Sequence, residues 1–232
     1  MAAPLAAALG AAPAAPLWLV FVTGLVAAAV AAGAWVLARA AVTIAHEGGH
    51  ALAASAVGVR VKHVQIHANG DGGTAFANLD SPGRDFLTTV AGYLAPPLFG
   101  TAGAILLSTG RVRAVLWLSL VLVAAGLWLA KGRFSVGAMV ALGGVLFLVI
   151  RYAGAGAQTF FTYTWIWFLL IGGIRTVLIL SDLRAEAKDT SSDAFVLGRL
   201  TSLPAAVFVG FFAVVSFAAL VAGGLIMAGA LR

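Results

Sequence analysis

The sequence contains no cysteine and few charged residues. Without thiols, disulfides and thiolate metal ligands are excluded, so any metal site must be built from histidine and carboxylate side chains. Charged residues make up 9% of the 232 positions, whereas hydrophobic residues make up 62%, and the mean hydropathy is +1.06. A water-soluble fold of this length cannot bury so much apolar surface. The composition therefore predicts an integral membrane protein in a lipid bilayer.

The formal net charge of +6 does not indicate a nucleic-acid partner. The 14 basic residues stand singly between apolar runs and form no continuous stripe. Isolated charges of this kind set the orientation of a chain in the membrane. We therefore expect no binding to nucleic acid.

The predicted domain organisation is simple. Residues 1–16 are rich in Ala and Pro and lack the basic start of a secretory signal, so we expect a disordered or interfacial leader. Residues 17–232 are expected to form a single transmembrane domain. Its predicted spans, bounded to within a few residues, are 17–57, 86–109, 114–130, 134–150, 158–180 and 203–230.

The first of these runs, residues 17–57, is longer than one span requires. At ~1.5 Å per residue, a helix of this length is about twice the ~30 Å hydrocarbon thickness. Either a long tilted helix leaves the membrane, or the chain bends near Gly33 and a second helix starts around Ala34. The sequence leaves both alternatives open.

The pattern changes after Gly58. Residues 59–67, VRVKHVQIH, alternate imperfectly between apolar and polar side chains, which predicts a short strand. Turn-forming residues follow at 69–73, and residues 74–76 can return as a second strand. The predicted fold class is an all-α polytopic membrane protein with about six transmembrane helices and a small membrane-associated β-hairpin after the first.

A His-Glu-x-x-His motif lies near the end of the first run, at His46, Glu47 and His50. In a helix this spacing places both imidazoles on one face, one turn apart, where they can hold a metal ion. A zinc hydrolase site uses about three protein ligands, and the glutamate activates water. The alternative is a buried polar cluster that joins helices by hydrogen bonds. A charge at the bilayer centre costs ~2.5 to 3.5 kcal/mol, which favours a functional metal site.

The third ligand must come from elsewhere in the chain. Asp182, Asp189 and Asp193 precede the last span, and a helix-compatible run follows Asp193. His63 and His67 would share one face of a strand about 13 Å apart, so they cannot both reach one ion. For these two histidines we expect a polar interfacial strand and no metal.

Two arginines and two glycines within the apolar runs are unfavourable there, so their presence needs an explanation. Arg39 is expected to snorkel to the interface, and Arg175 to snorkel or to pair with a carboxylate. Gly48 and Gly49 each cost about 1 kcal/mol in a helix interior relative to Ala. Their presence predicts close approach of another helix or of a substrate.

The basic residues also predict an orientation. The connections on the side where the motif helix ends contain eight Lys and Arg residues, and the opposite ends contain four. The eight are Arg60, Lys62, Arg84, Lys131, Arg133, Arg184, Lys188 and Arg199; the four are Arg111, Arg113, Arg151 and Arg232. By the positive-inside rule, we expect a multi-pass protein of the cell inner (plasma) membrane whose site opens toward the cytoplasm.

Two stretches resemble the signatures of a known family. TIAHEGGHA at residues 43–51 and AGYLAPPLFG at 91–100 are similar to those of the site-2 protease family of intramembrane zinc metallopeptidases, in its small bacterial M50B-like branch. Blocks at 164–175 and 191–204 are also similar, so the resemblance covers nearly the whole chain from residue 17.

This resemblance implies one Zn²⁺ per chain, held by His46, His50 and Asp193, with Glu47 as the residue that activates water. Asp182 remains the alternative ligand, because Asp193 stands in a Ser-Asp-Ala context where better-known members have Leu-Asp-Gly.

The implied activity is hydrolysis of a peptide bond in or near a transmembrane segment of a membrane protein substrate. An edge strand would bind the unwound substrate by β-addition, through Val61, Val64, Ile66, Gly72 and Gly73. The alternative is a catalytically silent membrane scaffold of the same fold. A metal or proton carrier is disfavoured because the two spans within 114–150 contain almost no polar residues. The sequence makes no prediction of the substrate or the oligomeric state.

Overall fold

A computed structural model describes residues 15–77, 81–185 and 189–230. Within these residues the chain forms eight α-helices and one two-stranded antiparallel sheet. The elements are α1 (Leu17–Gly33), α2 (Trp35–Ala56), β1 (Arg60–Ile66), β2 (Gly72–Ala77), α3 (Pro82–Ser108), α4 (Val112–Leu129), α5 (Arg133–Tyr152), α6 (Ala155–Ala185), α7 (Asp193–Thr201) and α8 (Ala205–Met227). The predicted fold class is confirmed. Most of the expected leader lies outside the described residues.

Five helices in the described part are long and apolar enough to cross a membrane singly: α3, α4, α5, α6 and α8. Helices α1 and α2 pass the same test only as a pair, and they are bent by 107° at the break between them. The protein is therefore a multi-pass membrane protein with five or six spans. The break between Gly33 and Trp35 also decides the open question about residues 17–57 in favour of two helices.

The bend is held by aromatic packing at its corner. Trp35, the first residue of α2, is buried and packs with Ala31 of α1, Val42 of α2 and Phe168 of α6. The Trp35 and Phe168 ring centroids are 6.3 Å apart. This cluster ties the start of the motif helix to α6, so the direction of α2 is set before the motif is reached.

Small residues bring α3 and α6 into close contact at the centre of the bundle. Gly103 of α3 lies against Ile166, and Gly100 lies against Leu170, leaving no room for a side chain at either glycine. Ile166 and Leu170 are buried in the largest apolar cluster. In lipid, such close backbone approach replaces the hydrophobic drive that assembles soluble cores.

The hairpin is fastened to the α4–α5 connection along its β1 edge. The Lys131 N–H donates to the Val64 carbonyl at 2.8 Å, and the Ile66 N–H donates to Ser135 Oγ at 2.8 Å. Gly70 in the turn has φ +91°, a left-handed conformation that favours glycine. Within the described residues, the outer edge of β2 carries no backbone hydrogen bond.

Helix α7 is short but well anchored. The side chain of Ser192 caps its first turn by accepting a hydrogen bond from the Phe195 N–H at 3.2 Å. Ala194 and Leu197 are fully buried against α6 and α8. The predicted helix that begins near Asp193 is therefore present, with Asp193 as its first residue.

Candidate metal centre

Three candidate ligand atoms form a nearly equilateral triangle. His46 Nε2 lies 3.1 Å from His50 Nε2 and 3.2 Å from Asp193 Oδ2, and the third side, His50 Nε2 to Asp193 Oδ2, is 3.3 Å. Ligands bound at 2.0–2.1 Å around a tetrahedral ion are separated by about 3.3 Å. The triangle therefore fits one face of tetrahedral zinc coordination.

The surroundings of His50 set which of its nitrogens faces the centre. The ring is buried, and Nδ1–H donates to the Thr88 carbonyl of α3 at 2.8 Å. In neutral imidazole this leaves Nε2 unprotonated, with its lone pair directed at the other two ligand atoms. A carbonyl on the far nitrogen is the usual support of a metal-bound histidine.

Asp193 also fits a metal ligand. Its Oδ2 atom is buried, and in the described part of the chain its polar neighbours are the two imidazole Nε2 atoms, with no other hydrogen-bond partner. Buried carboxylate oxygens are nearly always paired. A cation at the centre of the triangle would supply the missing partner for this oxygen.

Glu47 lies beside the triangle and is only 3% exposed. Its Oε2 atom accepts a hydrogen bond from the Thr74 hydroxyl of β2 at 2.7 Å. Gly72, two residues earlier on β2, lies against the other carboxylate oxygen. The motif glutamate is thus held by the hairpin, whereas the motif histidines are supported by α3.

A cavity of about 650 Å³ opens onto these residues. Its lining combines the motif face of α2, the hairpin turn at residues 69–74 and the linker at 189–193. These three segments, which lie far apart in the sequence, therefore meet in one cavity. The cavity provides the space and polar lining that a hydrolytic site in a membrane requires.

Three polar residues brace the linker that delivers Asp193. Asp189 accepts hydrogen bonds from the Ser192 N–H at 3.0 Å, from the Ser192 hydroxyl at 2.7 Å and from Arg184 Nη1 at 2.6 Å. We call Arg184, Asp189 and Ser192 the linker bracket. Burial raises the pKa of the Asp189 carboxyl, but the hydrogen bonds from Ser192 and Arg184 outweigh it and lower that pKa.

The other aspartate competitor does not reach the triangle. Asp182 is exposed on α6, and the group of His, Asp and Glu side chains that could hold a metal in the described residues consists of His46, His50 and Asp193. His63 and His67 of the hairpin region are also outside this group.

A model of one peptidase family matches residues 17–223, and its description is Peptidase M50B-like. The chain belongs to the Peptidase M50B-like family. No curated protein and no solved structure gives a significant match. M50 peptidases are zinc metallopeptidases, so the family supports a metallopeptidase, and His46, His50 and Asp193 are its candidate metal ligands. The resemblance inferred from the sequence is confirmed.

In this M50B-like protein the five predicted substrate-strand residues divide into two groups. Val64 and Ile66 are 2% and 1% exposed and pack against Ile44 of α2, while Val61 is half-buried beside that cluster. Gly72 and Gly73 line the cavity. The outer edge of β1 is occupied by Lys131 and Ser135, so the edge that faces the cavity belongs to β2.

The two arginines within the apolar runs each make a contact that the sequence did not predict. Arg39 donates from Nη2 to the Ala68 carbonyl at 2.8 Å and lines the cavity, so it fastens the hairpin turn. The Arg175 guanidinium lies over the Trp35 ring, 4.9 Å from its centroid. Arg175 thus makes a cation–π contact at the α1–α2 bend, a pairing that the sequence did not indicate.

The sequence did not predict the contacts that Thr74, Asp189 and Tyr93 make at the site of this M50B-like protein. Thr74 reaches Glu47 through the tertiary placement of the hairpin, whereas Asp189 bonds to Ser192 and Arg184, which are three and five residues away in the chain. Tyr93 stands edge-on to His46, with ring centroids 4.7 Å apart, and stacks on Phe212 of α8 at 4.9 Å. Tyr93 lies in the stretch at 91–100, whose resemblance to a family signature was the one indication in the sequence that this residue belongs to the site.

Proposed function

We propose that the protein is a zinc-dependent intramembrane endopeptidase that hydrolyses a peptide bond in or near a transmembrane segment of another membrane protein. The observation that carries this proposal is the triangle of His46, His50 and Asp193, with sides of 3.1–3.3 Å, beside the buried Glu47. One Zn²⁺ per chain would be held by these three residues. Family membership supports the peptidase class.

Zinc bound at this position would supply Lewis acidity, which would polarise a carbonyl group and lower the pKa of a water molecule. Glu47 acts as the general base: it takes a proton from the water that attacks the carbonyl carbon. When the carbon–nitrogen bond breaks, Glu47 returns that proton to the leaving amide nitrogen. The carboxylate is therefore regenerated at the end of each turnover, and one water is consumed.

The substrate must be locally unwound before this chemistry, because a transmembrane helix hides its carbonyls in internal hydrogen bonds. We propose that the unwound segment adds as a strand to the outer edge of β2, next to Gly72 and Gly73. This edge has unused backbone groups within the described residues and borders the cavity. Val61, Val64 and Ile66, which were also predicted for the substrate strand, lie on β1 and would support β2 from its inner edge.

We further propose that residues 17–232 act as one transmembrane domain and that the cavity opens toward the cytoplasm of the inner membrane. The sequence supports this orientation, because the connections on the side where the motif helix was predicted to end contain eight basic residues and the opposite ends contain four.

The decisive test uses purified protein reconstituted in lipid vesicles with a panel of single-span membrane proteins. Wild type should contain one zinc per chain and cleave at least one panel member, with the cut located by mass spectrometry. Glu47→Gln should keep its zinc and lose cleavage, because an amide cannot accept the proton. Asp182→Asn is the matched control, an exposed carboxyl outside the site, and should cleave normally.

Two outcomes would contradict the proposal. Full cleavage by Glu47→Gln would remove the assigned base. Bound zinc without turnover of any panel member by wild type would favour the scaffold alternative.

A further inference from the structure

Thr74 of β2 touches the motif glutamate through its hydroxyl group. The Thr74 Oγ1 atom is 2.7 Å from Glu47 Oε2 and 3.3 Å from the Glu47 backbone carbonyl. A hydroxyl has one proton to donate, and the shorter contact to the carboxylate takes it. Hydrogen bonds to an ionised acceptor are the stronger kind, so this contact restrains the carboxylate.

The hairpin register explains why Thr74 reaches Glu47. Thr74 pairs with Val64 and Gly72 pairs with Ile66, so these four residues share one face of the sheet. Val64 and Ile66 bury that face in a cluster with Ile44 of α2, three residues before Glu47. The same face therefore places Thr74 and Gly72 over the motif.

The absence of a side chain at Gly72 allows β2 to lie close to the Glu47 carboxylate. A Cβ at this position would overlap Glu47 Oε1 and come within 2.8 Å of Thr43 Cγ2. A larger residue would have to displace either the Glu47 carboxylate or β2. Within the described residues, Glu47 Oε1 accepts no hydrogen bond.

We infer that Thr74 is a positioning residue for Glu47: it holds Oε2 and leaves Oε1, beside Gly72, as the oxygen that takes the proton from water. The inference deepens the proposed function and rests on it. The hairpin would then have two duties, because β2 offers its edge to the substrate and also orients the base. A substrate strand on β2 would thereby be placed in a fixed relation to the oxygen that acts on it.

The test compares zinc-loaded Thr74→Val and Thr74→Ser with wild type on a single-span protein that wild type cleaves. Valine keeps the shape and removes the donor, so kcat should fall about tenfold to a hundredfold, as for other small misplacements of catalytic groups. KM and zinc content should stay unchanged. Serine keeps the donor and should restore most of the lost kcat. Thr159→Val is the matched control, since that hydroxyl bonds only to Ala155 within α6.

A second readout needs no turnover. In metal-free protein, Thr74→Val should lower the melting temperature by about 2–4 °C for each kcal/mol that the contact contributes. In a Glu47→Ala background the same substitution should lower it much less, because the hydroxyl has lost its acceptor. Equal shifts in both backgrounds would overturn the inference.

The outcomes separate the inference from the proposed function. If wild type cleaves and Thr74→Val has the kcat of wild type, Thr74 has no positioning role and the proposed function stands. If Thr74→Ser is as slow as Thr74→Val, the donor is not the cause and the inference fails. If wild type cleaves no substrate, the proposed function fails and takes the role of Thr74 with it.

Discussion

Gly92 of α3 lies directly against the His50 imidazole of α2. A Cβ at residue 92 would overlap Cε1 and Nε2 of His50 and would stand 2.7 Å from Asp193 Oδ2. A side chain here would therefore displace two of the three proposed zinc ligands. Helix α3 packs against His50: the Thr88 carbonyl accepts its Nδ1–H, and the lack of a side chain at Gly92 leaves room for its ring.

We predict that Gly92→Ala weakens zinc binding and abolishes cleavage without unfolding the protein. The added methyl must move a ligand, and outer-shell changes at metal sites typically cost 10–100-fold in affinity. Zinc content after dialysis against a graded chelator measures the loss. Gly137→Ala is the control, because a Cβ there meets no atom within 4 Å. Unchanged zinc affinity in Gly92→Ala would contradict the packing described here.

The doubled glycine of the motif gives a second prediction. A Cβ at Gly49 would overlap Ala95 of α3 and lie 2.7 Å from the Ala91 carbonyl oxygen, whereas a Cβ at Gly48 meets nothing within 4 Å. Gly49→Ala should cost about 1–3 kcal/mol of stability through overpacking. Gly48→Ala should be neutral, or stabilising by up to about 1 kcal/mol. Thermal unfolding in detergent compares the pair, and equal losses would argue against the α2–α3 contact.

These two glycines show which helix contacts could be predicted from the sequence and which could not. Close approach of another helix or of a substrate was expected for both. Gly49 lies against α3 and Gly48 does not, since the two point to different sides of α2 and the sequence does not say where α3 lies. By contrast, the placement of His46 and His50 on one helix face could be predicted from helical periodicity alone, which is a local property of the chain. Asp193 could be proposed because it begins a helix on the same membrane side, and the family resemblance supplied the choice over Asp182.

Two contacts that the sequence did not predict, Thr74 with Glu47 and Trp35 with Phe168, join residues far apart in the chain. Thr74 reaches Glu47 only because the hairpin register and the Val64–Ile66 face fix where β2 lies on α2. The break between α1 and α2 was left open because residues 17–57 are helix-compatible almost throughout. Trp35 settles it by packing on Phe168, a residue far away in the chain.

The choice between the two aspartates gives a third prediction. Asp193→Ala should lose its zinc and its cleavage activity, because two histidines alone leave the triangle incomplete. Asp182→Ala should keep both, since Asp182 is exposed on α6. Metal analysis of the two purified variants, side by side with His50→Ala, distinguishes the assignments. Loss of zinc in Asp182→Ala alone would move the third ligand to that residue.

The linker bracket of Arg184, Asp189 and Ser192 gives a fourth prediction, which includes a pH dependence. Asp189→Asn should destabilise the metal-free protein by about 1.5–3 kcal/mol, the range for hydrogen bonds to a charged group. Because the pKa of Asp189 is lowered on folding from its ordinary 3.8, its carboxylate contributes stability above that pH, and the contribution is lost as the pH falls through the lowered value. The melting temperatures of wild type and Asp189→Asn should therefore differ at neutral pH and converge in strong acid.

The zinc affinity of Asp189→Asn should also be lower than that of wild type, since the linker bracket positions the first turn of α7. Asp182→Asn is the control and should change neither the melting temperature nor the zinc affinity. A constant difference in melting temperature down to the most acidic pH would show that the Asp189 charge has no part in holding Asp193.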